Sequence, residues 1–190
     1  MASPSTSFDQ VKKEYDLYAG TYTEYSEYPY GIMERQLVQS ALGDCTGAIV
    51  LDLGGGTGLR AHQVIEAGAV AVDVVDISSE MLRNGKEIED SHSHADAITW
   101  YEADISKPLD HLPLRTYDLV MANWVFHHAH NIAEFESMWA NVVARLKPGG
   151  RFVGVRSGDP YAPCFLHPDA PSRCQKHVVL VSVARGCGTC

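Results

Sequence analysis

The chain has 190 residues, enough for one domain and too few for two. Hydrophobic residues make up 45% and charged residues 21%, an ordinary globular balance that excludes a fibrous or wholly disordered chain. The net charge of −9 disfavours nucleic acid as a partner, and no apolar run reaches the roughly 18 to 20 residues needed to span a bilayer.

Residues 1–9 are polar and lack the basic start and apolar core of a secretion signal, so a cytoplasmic location is expected. Residues 10–30 hold six of the nine tyrosines: Tyr15, Tyr18, Tyr22, Tyr25, Tyr28 and Tyr30. Spacings of three and four place the first of them on one helical face, while Gly20 and Pro29 interrupt any long helix. The segment either packs its rings on a core or forms a lid whose rings cover a ligand. A helix is predicted over 32–42, with Met33, Leu37, Val38 and Ala41 as its inward stripe. From position 48 the pattern alternates. Strands are predicted over 48–53, 69–75, 98–101, 117–122 and 151–155, and helices over 60–67, 79–89 and 132–146. In the last helix Ile132, Phe135, Met138, Trp139, Val142, Val143 and Leu146 form the apolar face, and Lys147-Pro148-Gly149-Gly150 stops it. Strands alternating with helices imply parallel pairing through right-handed crossovers, hence an open, doubly wound α/β sheet. Three regions follow: a helical lid segment over 1–45, a core over 46–156, and a Pro- and Cys-rich tail over 157–190.

Ligands of such sheets bind beyond the carboxyl ends of the strands. Asp52-Leu53-Gly54-Gly55-Gly56-Thr57-Gly58 follows the first strand and opens a helix, where glycines let the backbone approach a ligand closely. Asp76 closes the second strand, placed to accept the hydroxyls of a ribose. Asp104 follows the third, placed to accept a hydrogen bond from an exocyclic amine. The rival for this fold, a nicotinamide-dinucleotide enzyme, needs a glycine where Leu59 stands.

Across Val50–Gly58, 75–82, 101–105, 117–124 and 146–153 the sequence resembles class I S-adenosylmethionine-dependent methyltransferases of the small-molecule type. The tyrosine density followed by Glu34-Arg35 is similar to small fungal methyltransferases of secondary metabolism. The resemblance implies a Rossmann-like fold with S-adenosyl-L-methionine as cofactor. Gly54, Gly55, Gly56, Thr57 and Gly58 would form the loop under its methionine part, with Asp52 bracing it. Asp76 would hold the ribose, Ile77 and Met81 would flank the adenine, and Asp104 and the Ile105 N–H would meet its edge. Asn123 and Trp124 would line the methionine end, and Tyr22 would close over the cofactor. Each residue also has a structural reading: Asp52 as a cap, Met81 as core, Trp124 as packing.

Methyl transfer to a hydroxyl needs a base, and Phe126-His127-His128-Ala129-His130 stands after the fourth strand. His127 and His128 are the candidates, although one of them is often structural. The three histidines have no clustered carboxylates, so a metal site is not expected there. Asn123 is followed by Trp-Val-Phe, not by the Pro-Pro-aromatic run of enzymes that methylate base or amide nitrogens. The expected acceptor is therefore a hydroxyl or amine of a small molecule. The alternative is a cofactor-binding protein of the same fold with weak or no turnover.

The tail departs from the family pattern of a helix and a final antiparallel strand pair. Its 34 residues after Arg156 hold one apolar run, 178–183, enough for one strand. It reads as a truncated end, as a replacement that swaps across a homodimer through an exposed sheet edge, or as a zinc site. Zinc would draw on Cys164, Cys174, Cys187, Cys190, His167 and His177, but a single Cys-x-x-Cys speaks against it. With Cys45 the cysteine count is odd, which argues against a disulfide framework.

Overall fold

Runs of valine, leucine and isoleucine become strands when both faces of a sheet can be covered. Here they form β1 (Ile49–Leu53), β2 (Ala71–Asp76), β3 (Ile98–Glu102), β4 (Tyr117–Asn123) and β5 (Leu146–Ser157), all parallel. A sixth strand, β6 (Val178–Ala184), pairs antiparallel with β5 and gives the order β3-β2-β1-β4-β5-β6. The computed structural model describes residues 8–90, 97–157 and 178–184. Helices α3 (Leu59–Glu66), α4 (Ser79–Asp90) and α5 (Ile132–Arg145) fill the β1–β2, β2–β3 and β4–β5 connections, and α1 (Phe8–Tyr18) and α2 (Pro29–Leu42) precede the sheet. The doubly wound sheet expected from the alternation is the fold observed. Strand order reverses between β1 and β4, which opens a crevice beyond their carboxyl ends.

Alternation along each strand divides the core in two. Val50, Val72, Val74, Leu119 and Met121 face one layer with Val38, Val64 and Leu82 from α2, α3 and α4. Leu51, Leu53, Val75, Val120 and Phe152 face the other with Met138 and Val142 from α5. Asp52 falls on the first layer's side and is fully buried.

Three local expectations are corrected. On α2, Met33 and Leu37 are exposed, and the buried row is Gly31, Glu34, Val38 and Leu42. The helix is rotated because buried Glu34 has charged and polar partners waiting for it in Arg60 and Trp124. On α5, Ile132, Phe135 and Val143 are exposed, while Asn141 is buried with Met138 and Val142. Asn141 fixes that rotation: its Nδ2 donates to the Ile105 and Lys107 carbonyls and its Oδ1 accepts the Leu109 N–H. Finally, β5 starts at Leu146, directly after α5. Leu146 pairs with Tyr117 and Arg151 with Leu119, so Lys147-Pro148-Gly149-Gly150 bulges out of the ladder instead of preceding it.

The tail contributes its one expected strand, at the sheet edge. Cys164, Cys174, Cys187, Cys190, His167 and His177 lie outside the described residues. Among the described residues no group of three metal-ligating side chains occurs, Cys45 is free and buried, and no helix is long and apolar enough to cross a membrane.

Candidate active site

Parallel strands bring the ends of β1, β2, β3 and β4 to one edge of the sheet, and a cleft opens there. The loop after β1 turns back under it. Gly54 sits at φ +70°, and a Cβ there would lie 2.6 Å from Val125 Cγ2, so only glycine fits between the loop and the β4 end. Gly56, at φ +57°, borders the cleft, and an added Cβ would meet nothing within 4 Å: this space is open to a ligand.

Asp76, at the end of β2, ties the loop. Its Oδ2 accepts the Gly56 N–H at 2.8 Å and its Oδ1 the Ser78 N–H at 2.8 Å. Burial pushes its carboxyl up, against the pull of these donors and of Lys12. Asp104, after β3, accepts the Ser106 N–H at 2.8 Å and faces the same cleft with Ile77, Met81 and Ile105. The tyrosine segment reaches over the top: Tyr15 and Tyr22 line the cleft.

Beside the cleft lies a smaller recess bordered by Glu34, Asp52, Gly55, Arg60, Asn123 and Trp124. Asp52 was expected to brace the glycine loop. It makes no hydrogen bond to it, and neither carboxylate oxygen has a partner. The bracing carboxylate is Asp76. Burial pushes Asp52 up to about 7, helped by Asp76 and opposed by Arg60. Asn123 Oδ1 and Nδ2 are likewise buried without partners, as is Thr57 Oγ1. Of these, Asp52 and Asn123 line the recess; buried polar atoms are almost always satisfied, so their four orphaned atoms there point to a polar ligand.

Trp124 adopts φ +56°, the one non-glycine at positive φ among the described residues. Its indole N–H donates to Glu34 Oε2 at 2.9 Å, and Glu34 Oε1 holds Arg60 at 2.5 Å. Neither Glu34, noted in the sequence only with Arg35 as part of a resemblance, nor Arg60 was expected to take part in the site. Their signals were a carboxylate on the Val38–Leu42 row of α2, and a cation in the first turn of α3, where the helix dipole disfavours it.

The two histidines part company. His128 lines the cleft, and its Nε2 lies 3.0 Å from the Tyr15 hydroxyl. Burial, with His127 and His130 nearby, pulls its pKa down to about 4, so the ring is neutral at pH 7. Burial also raises Tyr15, which stays protonated. His127 is not among the residues lining the cleft and sets its ring edge-on against Trp124, 6.3 Å between centroids.

Helix α1 closes the cleft through polar contacts, with Val11 its one buried residue. Lys12 Nζ donates to the Ile77 carbonyl at 2.9 Å and to Glu102 at 3.1 Å, and Asp16 accepts the Ser78 hydroxyl at 2.6 Å. Of these only Lys12–Glu102 is an ion pair, and a partly exposed pair contributes about 0 to 1 kcal/mol.

Residues 51–152 match the family described as a methyltransferase domain. A demethylmenaquinone methyltransferase of Corynebacterium urealyticum is 29% identical over 161 residues, 85% of this chain and 62% of that one. The squalestatin tetraketide synthase clz2 of Cochliobolus lunatus is 30% identical over 131 residues, 64% of this chain and 5% of the synthase. Apart from such very long synthases, the chain spans about half the length of the curated relatives it matches. Among solved structures, an S-adenosylmethionine-dependent methyltransferase from Mesorhizobium loti is 28% identical with a TM-score of 0.56, covering 68% of this chain and 56% of its own. The DhpI-SAM-HEP complex shares the fold at a TM-score of 0.64 and 24% identity, over 85% of this chain and 70% of that one. With a glycine loop, acidic strand ends and a matched region covering more than half its length, the chain belongs to the methyltransferase-domain family of class I S-adenosylmethionine-dependent enzymes.

Proposed function

We propose that the chain binds S-adenosyl-L-methionine in the cleft and transfers its methyl group to a hydroxyl, or an amine, of a small molecule of secondary metabolism in the cytoplasm. The observation that carries the reading is the set of orphaned buried atoms on Asp52, Asn123 and Thr57 beside an open glycine loop. The residues fit the cofactor. Asp76 has a second lone pair on each oxygen for the ribose hydroxyls, and Asp104 with the Ile105 N–H can meet the adenine edge between Ile77 and Met81. Asp52 and Asn123 offer acceptors and donors to the methionine amine and carboxylate, and Tyr22 and Trp124 face the same end. When bound there, the cofactor supplies a methyl group on a cationic sulfur. The chain's own work is alignment: near-attack positioning contributes up to about 7 to 11 kcal/mol to such reactions.

His128 is the base in this reading. Its neutral ring can take up the acceptor's proton, and the Tyr15 hydroxyl orients it. His127, against Trp124, is given a packing role. His128→Ala is expected to lower kcat by roughly 10² to 10⁴-fold while S-adenosylhomocysteine still binds. Because the ring loses its proton near pH 4, activity should stay flat from neutrality down to about pH 5 and fall only below that. A steep fall through pH 6.5 would show an unperturbed base elsewhere.

Calorimetric titration with S-adenosylhomocysteine tests the cofactor half. One-to-one binding is expected, and Asp76→Ala should weaken it by roughly 1.5 to 3 kcal/mol, the range for hydrogen bonds to a charged group. A folded chain without binding would refute the assignment. Binding without turnover on any alcohol or amine would favour a cofactor-binding protein of the same fold.

A further inference from the structure

Outside the cleft, a second groove runs between α1 and the start of α2, walled by Tyr18, Tyr28 and Tyr30 and floored by Tyr15 and Tyr22. Tyr15 and Tyr22 are shared with the cofactor cleft, and Tyr22 also borders the recess beside Asp52. Whatever occupies this groove is therefore one side-chain layer from the methionine end of the cleft. We propose that the groove is the part of the acceptor site that anchors the ammonium end of a small amine; that nitrogen keeps its proton and has no lone pair to offer, so the methyl goes to another, neutral atom of the same molecule reaching the cleft. This rests on the methyltransferase reading and names its substrate class.

Three observations carry the proposal. First, the rings are not core: Tyr18 is 62% exposed and Tyr28 is 52% exposed, and with Tyr30 they line one groove, a contiguous aromatic surface of the kind that marks an interaction site. Tyr28 and Tyr30 stack within 7° of parallel at 5.8 Å, which steadies an aromatic wall in solvent. Second, the groove has the chemistry of a cation site. Aromatic faces carry negative quadrupoles that attract ammonium groups, and among the described residues the only charged side chain lining the groove is Glu24. No lysine or arginine among the described residues lines it, so an anionic acceptor would meet a carboxylate unopposed. Third, the field agrees in sign. Burial raises the Tyr22 phenol, with Tyr15, Glu34 and Asp76 adding to it and Arg60 opposing, and the whole chain carries −9. The groove thus favours a cation from both its walls and its surroundings.

The test uses the full chain saturated with S-adenosylhomocysteine, titrated by NMR with tert-butylammonium and, separately, with its neutral isostere tert-butanol. The cation is expected to bind at least about tenfold more tightly than the alcohol. Tyr18→Ala combined with Tyr28→Ala, and separately Glu24→Gln, should each weaken the cation roughly 3- to 30-fold and leave S-adenosylhomocysteine affinity unchanged. These side chains are exposed, so the variants fold. Equal binding of cation and alcohol, or cation binding undiminished in the double variant, overturns the proposal. A chain that binds S-adenosylhomocysteine but not the ammonium ion overturns the subsite alone. One that binds neither overturns the methyltransferase reading and the subsite with it.

Discussion

Asp52→Asn is expected to stabilise the ligand-free protein above neutral pH and, in the same preparation, to weaken S-adenosylhomocysteine binding. Asp52 is fully buried without a hydrogen bond, and its carboxyl is pushed from 3.8 to about 7. A folded-state value above the unfolded one means that folding favours the protonated form. The associated stability is complete below about pH 4 and is lost as pH rises through about 7. Three units correspond to about 4 kcal/mol at pH 8, an upper figure for a site next to Arg60. The stability difference between variant and parent should therefore swing toward the variant by up to that amount between pH 4 and pH 8, read from urea midpoints. Binding should move the other way, because the charge that is costly without ligand is the one that would meet a cationic amine. A pH-independent difference would mean that Asp52 ionises freely in the fold, and the recess would lose its claim to a ligand amine.

The glycine loop, Asp76 and Asp104 were legible in the sequence because their positions follow from backbone rules. A strand must end in a turn, a parallel sheet brings successive strand ends to one side, and glycine is needed where φ is positive. Asp76 and the loop are 20 positions apart, yet one strand and one crossover determine their meeting. The Tyr15–His128 contact joins positions 113 apart and depends on where α1 lies, which no local pattern encodes. The Trp124–Glu34 bond, across 90 positions, is hidden for the same reason. The misplaced faces of α2 and α5 share one cause. Counting apolar residues finds a stripe, but a satisfied buried polar group rotates the helix. Glu34 does so on α2 and Asn141 on α5: turning either outward would strand its buried partners without a hydrogen bond. Local rule-breaking, an acid on an apolar row or an arginine at a helix start, was the readable trace of both site residues that were missed.

Glu34→Ala carries the other large expected effect, and a second substitution separates its two parts. Removing the carboxylate leaves Arg60, 7% exposed, as an unpaired buried charge and the Trp124 indole N–H without an acceptor. Breaking a buried pair in this way costs about 3 to 5 kcal/mol, which should appear as a lowered urea midpoint. Replacing Arg60 as well, in Glu34→Ala with Arg60→Met, removes the stranded charge and should recover much of that stability, since apolar replacement of a buried pair is often near neutral. S-adenosylhomocysteine affinity should not recover with it. Trp124 holds a left-handed backbone conformation that costs about 1 to 3 kcal/mol, and the bond to Glu34 is what keeps its ring against the cleft. Glu34→Gln completes the set: its amide oxygen can still accept the indole proton, so binding should survive better than in the alanine variants. If the double variant regains binding together with stability, Glu34 serves the fold alone, and the position of Trp124 owes nothing to it.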